Sequence, residues 1–360
     1  IAGLHTLFIF RSTGRALRSS IVFLTLAFLL ILYSTFLTRS GVLGDASVHS
    51  FTGEGMLIQL LLFLMIFSFF SLFILFVKWN ELSDNKSEEE HSSSREFWMY
   101  IGSIVLLMSA MHIILYTSIP VINKLFPTSF APPIDPVTHY NKWQIAFGIL
   151  IGFLTAFGLH LKYKKTDWSK LKTFMGITFF LSMVLCALLN WAFPMQWVQL
   201  AFLFVLLLSA LANLAYIIFK TKRLSSSGAA LTHLGFGLLM IGILISAGKS
   251  EVISLNRLGV KYGETYDEKA NYENILLYKD VPMEMGDYTI TYLGDSVVGL
   301  NHYYKVDYYN DNESFRLYPY VQNNPKFGRS ANPDTRHYWN KDVFTHVTSV
   351  SNTEIDEEKI

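Results

Sequence analysis

Histidine is the residue type in this chain that is suited to binding a metal ion or haem. The chain contains ten histidines but only one cysteine, Cys186, which excludes an internal disulfide and a cysteine-based metal site. Four histidines fall inside apolar runs: His5, His112, His160 and His233. An ionisable side chain inside a membrane span is costly, so each of these positions is a candidate functional site.

His5 and His233 are predicted to lie at similar depths in two different helices. His5 precedes the charged residue Arg11 by six positions, roughly 9 Å along a helix, and His233 lies roughly 6 Å inside the last apolar run. Two imidazoles at one depth are suited to axial ligation of a haem iron or to a shared metal ion. The alternative is two unrelated polar residues near the membrane interface, and the spacing alone does not decide between them.

The other histidines give weaker signals. His160 precedes the basic stretch LKYKK and is predicted to reach water at the interface. His112 is predicted to pack near the outer end of its span, and His139 to be exposed in a Pro-rich loop. Three further histidines have no metal-binding spacing: His302, His337 and His346.

The segment Thr35–Phe51 (TFLTRSGVLGDASVHSF) carries one more candidate ligand. An apolar run ends at Arg39, and His49 follows in a loop of mostly small or apolar residues. Such a loop is able to lie along a membrane surface, and Arg39 is able to pair with a carboxylate. The alternative is a snorkelling arginine and a solvated histidine.

The composition places most of the chain in a membrane. Of 360 residues, 51% are hydrophobic and 16% charged, whereas a soluble domain has about 25% charged residues. A net charge of +1 argues against a nucleic-acid partner. A span needs about 20 apolar residues. After a partial helix at 1–10, seven complete spans are predicted: 20–37, 55–77, 97–119, 143–161, 172–192, 196–219 and 229–247.

The loops between these spans differ in charge. One alternate set (10–20, 78–96, 161–172 and 220–227) holds 14 Lys and Arg residues, and the other set holds three. The positive-inside rule therefore places the first set in the cytoplasm and places 38–54, 120–141 and everything after Gly248 outside.

A second domain is predicted at 249–360, after a membrane domain at 1–248. Apolar runs end there and short alternating segments begin, including 287–293 and 342–350. The stretch 305–320 is typical of a hairpin with an Asn/Asp turn. The predicted fold class is thus a polytopic α-helical membrane protein with a small extracytoplasmic β domain, barrel-like or a sandwich.

The chain resembles the CcmF-type cytochrome c haem lyases in several segments. The most specific is TFLTRSGVLGDASVHSF, in which a span ends in Arg-Ser-Gly-Val-Leu and leads to an outer histidine. LTHLGFGLLMIGILIS resembles the family's late span with a membrane histidine, and His5 stands in the family's Leu-His-(Ser/Thr)-Leu context. Three further segments are similar to family segments: SREFWMYIGSIVLL, APPIDPVTHYNKWQ and NNPKFGRSANPDTRHYWNKDVFTHV.

The resemblance implies a haem lyase component of the bacterial inner membrane with a periplasmic β domain. It implies that His5 and His233 are axial ligands of a resident b-type haem, and that His49 is an axial ligand of an incoming haem, the transient substrate. Arg39 is a possible propionate contact, and no catalytic nucleophile is assigned. The implied job is to take haem from a haem chaperone and assist its thioether attachment to the CxxCH of apocytochrome c, beside thiol-reducing, apocytochrome-handling subunits and membrane lipid.

The chain also departs from the family pattern. It has no WGxWWxWD-like segment, no assignable partner for His49 and no span after the β domain. We therefore expect a fragment lacking an N-terminal part and the last span. Two other functions stay open: a haem or solute transporter, against which the absence of internal repeats argues, and a non-catalytic assembly scaffold.

Overall fold

A computed structural model describes residues 1–43, 56–82, 91–163, 165–166, 168–221, 224–257, 259–261, 268–324 and 328–349. The predicted haem ligand His49 lies outside these residues. The chain divides into two units, Ile1–Lys249 and Ser250–Ile360, and each is considered by itself.

The first unit is entirely helical in its described residues. Its helices are α1 (Ala2–Thr13), α2 (Leu17–Arg39), α3 (Leu57–Lys78), α4 (Arg95–Thr117), α5 (Ile119–Leu125), α6 (Pro136–Gly158), α7 (Trp168–Ala192), α8 (Trp197–Ala215) and α9 (Gly228–Gly248). A π-helical turn (Tyr216–Thr221) and a short 3₁₀ turn (Leu224–Ser226) connect α8 to α9.

Six of these helices are long and apolar enough to cross a membrane: α2, α3, α4, α7, α8 with its π turn, and α9. The prediction of a polytopic α-helical membrane protein is therefore confirmed. The seventh predicted span, 143–161, corresponds to α6 and is not among the six. Helix α6 has 23 residues, but it begins with the polar stretch PVTHYNKW, which shortens its apolar part.

Helix ends follow local capping chemistry. The Ser94 side chain accepts a hydrogen bond from the Phe97 amide at 3.1 Å and starts α4, as expected of an N-cap serine. Asp135 caps α6 in the same way, with proline at the following position. Helix α1 ends at Gly14, whose φ of 75° is easily reached only by glycine.

Helix α8 is the packing centre of the first unit, because ten of its 19 residues are buried. It contacts α6, α7 and α9, while α6 contacts α4, and α4 contacts α1. Glycines allow the closest of these approaches: a Cβ on Gly152 of α6 would lie 3.0 Å from Val205, and one on Gly237 of α9 would lie 3.3 Å from the Leu206 carbonyl oxygen. Small residues at such contacts are how membrane helices approach each other closely.

The second unit contains a short helix, α10 (Glu268–Glu273), and eight strands: β1 (Pro282–Met285), β2 (Tyr288–Val298), β3 (Asn301–Tyr309), β4 (Ser314–Leu317), β5 (Tyr320–Asn324), β6 (Gly328–Asn332), β7 (Asp334–His337) and β8 (Asp342–Thr345). Six strands form an antiparallel sheet in the order β1-β2-β3-β5-β6, with β4 also paired to β3. Strands β7 and β8 form a separate hairpin.

The core of this β unit gathers on one face of the sheet. Ile290, Val306 and Tyr308 project into it, and Val343 of the β7–β8 hairpin packs on the same cluster. The predicted β-rich fold is thus confirmed in the form of a sheet covered by a hairpin. The predicted hairpin at 305–320 is also confirmed, because the Asn310 side chain accepts two backbone N–H groups in the turn between β3 and β4.

We expect Gly237→Val to destabilise the helical unit by about 1–3 kcal/mol, because the added methyls meet the α8 backbone. The matched control is Gly242→Val on the same helix, since a Cβ placed on Gly242 would meet no atom within 4 Å in the described residues. Thermal unfolding in detergent measures both. Equal midpoints for the two variants would contradict the close α8–α9 contact.

A second prediction concerns Asp307 in the β unit. Arg316 donates a hydrogen bond to it (Nη2 to Oδ2 2.8 Å), and this bond lowers the pKa of Asp307. A lowered pKa in the folded state stabilises the fold above the unfolded value, about 3.9, and this stabilisation is lost as the pH falls through the folded pKa. Because both side chains are about one-third or more exposed, we expect Asp307→Asn to cost less than about 1 kcal/mol.

Amide hydrogen exchange of β3 and β4 in the full chain measures this effect. The loss of protection in Asp307→Asn relative to the wild type should be greater at pH 7 than at pH 3. Asp311→Asn, in the turn between the same strands, is the control and should change little at either pH. A loss in Asp307→Asn that does not depend on pH would argue against the ion pair as its cause.

Candidate haem-binding site

Helix α1 holds His5 by contacts with two neighbouring helices. On α1, Gly3, Thr6 and Ile9 are buried, and α1 packs against α2 and α4. The Ser103 hydroxyl of α4 donates to the Met99 carbonyl oxygen of its own helix at 3.0 Å and lies 3.4 Å from the Ala2 carbonyl oxygen, next to the turn that carries His5. The first turn of α1 therefore lies against α4.

The His5 ring is oriented by its own helix. Its Nδ1 lies 3.1 Å from the Ile1 carbonyl oxygen, so Nδ1–H is the donor and Nε2 keeps a free lone pair. A histidine whose Nδ1–H is held by a backbone carbonyl presents Nε2 as a metal ligand in a fixed orientation.

His233 is placed by the contact between α9 and α8. It lies one helical turn before Gly237, on the same face of α9, because residues four apart share a face. The His233 Nδ1 atom is buried and has no hydrogen-bond partner in the described part of the chain. A buried polar atom without a partner is unusual and calls for an explanation such as a metal or redox role for its ring.

The two rings are parallel, and their separation matches that of two imidazole ligands of one metal. The ring centroids of His5 and His233 lie 6.4 Å apart, and the ring planes differ by 1°. With metal–nitrogen bonds of about 2.0–2.1 Å and a ring radius of roughly 1.2 Å, two axial imidazoles have centroids about 6.4–6.6 Å apart. The described residues contain no group of three or more His, Cys, Asp or Glu suited to a metal ion. A pair of ligands on opposite sides is what a haem iron uses.

His112 and His139 form a second pair that the sequence did not predict. Their ring centroids lie 5.4 Å apart, nearer than two axial ligands, and the Nε2 atom of each is buried without a hydrogen-bond partner in the described residues. Gln144 donates from Nε2 to the Ser109 carbonyl oxygen and to His112 Nδ1, both at 3.3 Å. Because His112 Nδ1 accepts the bond from Gln144, the ring hydrogen of a neutral His112 lies on Nε2. A metal-binding histidine would need a lone pair on that atom. The pair is therefore not a haem site.

Two single-residue predictions need correction. His139 was predicted to be exposed in a loop, but α6 begins at Pro136, so His139 lies in its first turn with Nε2 buried. His160 was predicted to reach water, but it is only 6% exposed. Its Nε2 lies 3.1 Å from the Ala212 carbonyl oxygen of α8, and Phe174 of α7 covers its ring. His160 follows the end of α6 and contacts both α7 and α8, so it serves helix packing.

Of the two predicted outer residues, Arg39 and His49, the structure describes only Arg39. Arg39 is the last residue of α2, where a cation complements the helix dipole. It lies at the far end of α2 from Leu17, a separation of about 33 Å along a helix of 23 residues. Since His49 is outside the described residues, the predicted haem contacts of His49 and Arg39 stay predictions.

The histidines of the β unit do not form a metal site in the described residues. His302 is hydrogen-bonded to Asp295, and the Tyr292 hydroxyl donates to the same carboxylate at 2.6 Å. These bonds, with the tyrosine bond foremost, lower the pKa of Asp295. His337 pairs with Asp342 across the β7–β8 hairpin. Both contacts pair a histidine with a carboxylate within the sheet.

Sequence reasoning did not single out Arg95, which it counted only as one of the loop cations. In the structure, Arg95 is the first residue of α4, the helix that packs against α1. The available signal was an arginine in the first turn of a helix, where the dipole favours an acidic residue instead.

Comparisons with known proteins support the resemblance at a general level. No family model and no solved structure matches the chain. The cytochrome c-type biogenesis protein CcmF of Escherichia coli (strain K12) is 25% identical over 236 residues, covering 62% of this chain and 35% of that protein. The CcmF protein of Haemophilus influenzae (strain ATCC 51907) is 24% identical over 185 residues, covering 50% and 27%. The chain spans about a third or less of the length of these curated relatives.

A prediction separates a packing histidine from a ligand. We expect His160→Phe to destabilise the protein by about 1 kcal/mol, because the hydrogen bond between His160 and the Ala212 carbonyl oxygen of α8 is lost while that oxygen keeps its bond from the Tyr216 amide. Thermal unfolding measures the loss, and His91→Phe, at an exposed position, is the control. An unchanged unfolding midpoint for His160→Phe would show that the bond to Ala212 does not hold α6 against α8.

Proposed function

We propose that this chain is a haem-handling component of cytochrome c maturation in a bacterial inner membrane. The observation that carries the proposal is the parallel placement of the His5 and His233 rings, with centroids 6.4 Å apart. The similarity to two CcmF proteins supports it, since their names assign them to cytochrome c biogenesis.

The protein's own residues would bind and orient a resident b-type haem. His5 and His233 would supply the two axial nitrogens, and the Ile1 carbonyl oxygen fixes the His5 ring through its Nδ1–H. The packing of α9 on α8 fixes His233. A haem held by two histidines is six-coordinate and low-spin, and when bound it supplies one-electron chemistry.

The outer part of the proposal concerns the substrate. His49 would bind an incoming haem delivered by a haem chaperone, with Arg39 at a propionate, on the face opposite the basic loops. The attachment reaction joins haem vinyl groups to the two thiols of a CxxCH motif in apocytochrome c. It needs ferrous haem and free thiols, so the role of the protein would be positioning rather than nucleophilic attack. The thiol-reducing subunits of the maturation complex and the surrounding lipid are the further partners.

A single metal ion is a weaker occupant of the histidine pair than haem. A zinc site takes three or four protein ligands, and no third His, Cys, Asp or Glu joins this pair in the described residues. Haem supplies four equatorial nitrogens of its own and needs only the two axial ones. The ligand count thus favours haem over a free ion.

The test is the optical spectrum of the purified, full-length membrane protein. We expect a low-spin b-type haem in the wild type, and its loss or conversion to a high-spin form in His5→Ala and in His233→Ala, because each change removes one axial nitrogen. His112→Ala is the matched control. It removes an imidazole from a span without touching the proposed pair, so its spectrum should match that of the wild type.

Two outcomes would overturn the proposal. One is a wild-type protein purified without haem from cells that make haem. The other is an unchanged low-spin spectrum in both His5→Ala and His233→Ala. Electron paramagnetic resonance on the same samples adds a check, since two parallel imidazole planes, as the 1° angle indicates, give a different signal from perpendicular ones.

A further inference from the structure

Three cations that form no ion pair among the described residues lie at one end of the helical bundle. This cation cluster consists of Arg95 at the start of α4, Lys162 after α6, and Lys220 in the turn after α8. The Arg95 amide donates to the Lys162 carbonyl oxygen at 2.8 Å, and the charges of Arg95 and Lys162 both act on Lys220. None of the three forms an ion pair in the described part of the chain. Like charges gathered in this way repel one another unless an anion joins them.

Two of the three cations pack on aromatic rings instead. The Arg95 guanidinium lies 5.2 Å from the ring centre of Tyr163, and the Lys220 ammonium lies 5.4 Å from that of Tyr216. The nearest carboxylate along the chain, Glu96, is 7% exposed and pairs with Arg15 at 3.7 Å. The Arg95 side chain is therefore held in place by Tyr163 while its charge is not neutralised.

The register of α1 against α4 gives the depth of Arg95 relative to His5. Arg15, just after α1, pairs with Glu96 at the start of α4, so the two helices are antiparallel. Ser103 meets Ala2. Distances can be counted from this contact toward the end of the bundle with the basic loops. His5 is three residues away, about 4.5 Å, and Arg95 is eight residues away, about 12 Å. Arg95 thus lies about 7–8 Å nearer that end than His5.

Resting on the function proposed above, we infer that Arg95 binds a propionate of the resident haem, with Lys220 and Lys162 completing an anion site for the pair of carboxylates. The offset of Arg95 from the level of His5, toward the basic loops, is a direction in which a propionate would extend from a haem held between the two rings. An arginine fork matches a carboxylate with two parallel hydrogen bonds.

This assignment also fixes which edge of the haem faces the basic loops. The two ligands lie at one depth, so a macrocycle between them has one edge toward the cation cluster and the opposite edge toward the middle of the bilayer. Carboxylates are strongly disfavoured in the bilayer centre. Propionates facing Arg95 meet three cations, whereas propionates facing the other way meet hydrocarbon.

A lipid phosphate is the competing anion, because basic residues at a membrane face also attract headgroups. The two anions predict different behaviour. A propionate site links Arg95 to the retention of haem, whereas a headgroup site links it to lipid composition.

The experiment measures transfer of the resident haem from the full-length protein to excess apomyoglobin. We expect Arg95→Gln to keep a low-spin spectrum but to lose haem about tenfold faster or more, the effect of removing one charge-assisted bond. Arg95→Lys should recover part of the loss, since it keeps the charge but not the fork. Arg18→Gln is the control: it removes a cation whose Nε donates to the Leu82 carbonyl oxygen and whose side chain lies over Trp79.

Reconstitution with haem dimethyl ester tests the propionate itself. The ester masks both carboxylates, so wild type and Arg95→Gln should then lose the ligand at rates within about twofold of each other, as expected when two changes remove the same interaction. A tenfold difference that persists with the ester would overturn the inference, because Arg95 would then act on the fold or on the axial ligands.

Three further outcomes decide whether Arg95 binds a propionate. Equal haem loss from wild type and Arg95→Gln overturns the inference, and a difference in haem loss that appears in nanodiscs of anionic lipid but not of zwitterionic lipid would assign Arg95 to lipid phosphate. A wild-type protein that never holds low-spin haem would instead overturn the proposed function. The failure of this inference and the failure of that function are thus distinguishable.

Discussion

The contact of α8 with the glycine-bearing faces of α6 and α9 is the packing constraint on which the rest of the helical unit depends. Lipid tails are as apolar as leucine, so membrane helices gain little from hydrophobic burial against each other and rely on close fit. Gly152 and Gly237 permit that fit by letting the helix backbones approach. The position of His5 relative to His233 is then set by the successive contacts of α1, α4, α6, α8 and α9.

Hydrogen bonds between helices hold the packing contacts of this bundle. Between α6 and α8, Asn213 donates to the Thr155 and Ser209 carbonyl oxygens, and the Thr155 and Ser209 hydroxyls bond to each other at 2.8 Å. His160 Nε2 is bonded to the Ala212 carbonyl oxygen, although His160 Nδ1 is buried without a partner in the described residues, as His233 Nδ1 is. An unpaired ring nitrogen alone therefore does not mark a ligand site. The His5–His233 pair differs from His160 in the parallel placement of two rings at a ligand-like distance.

The two levels of the proposed function depend on different kinds of support. The inner level, the proposed resident haem with its propionates at Arg95, is supported by the ring geometry of the histidine pair and by the register of α1 against α4. The outer level, with His49 and the delivered haem, depends on the resemblance of one segment and on similarity to CcmF proteins about three times as long as the matched part.

The sequence by itself determined the membrane class, most span positions, the β-rich second unit and its hairpin at 305–320. Apolar length, loop charge and strand alternation are local properties of the chain, so they can be counted in the sequence. It also singled out His5 and His233, through their depth. Only the tertiary structure decided that their rings are parallel and 6.4 Å apart, that His112 meets His139, that His160 is buried, and that the helix starting at Arg95 packs against the helix of His5. These relations join residues on different helices, and lateral helix packing, which no local pattern encodes, brings them together.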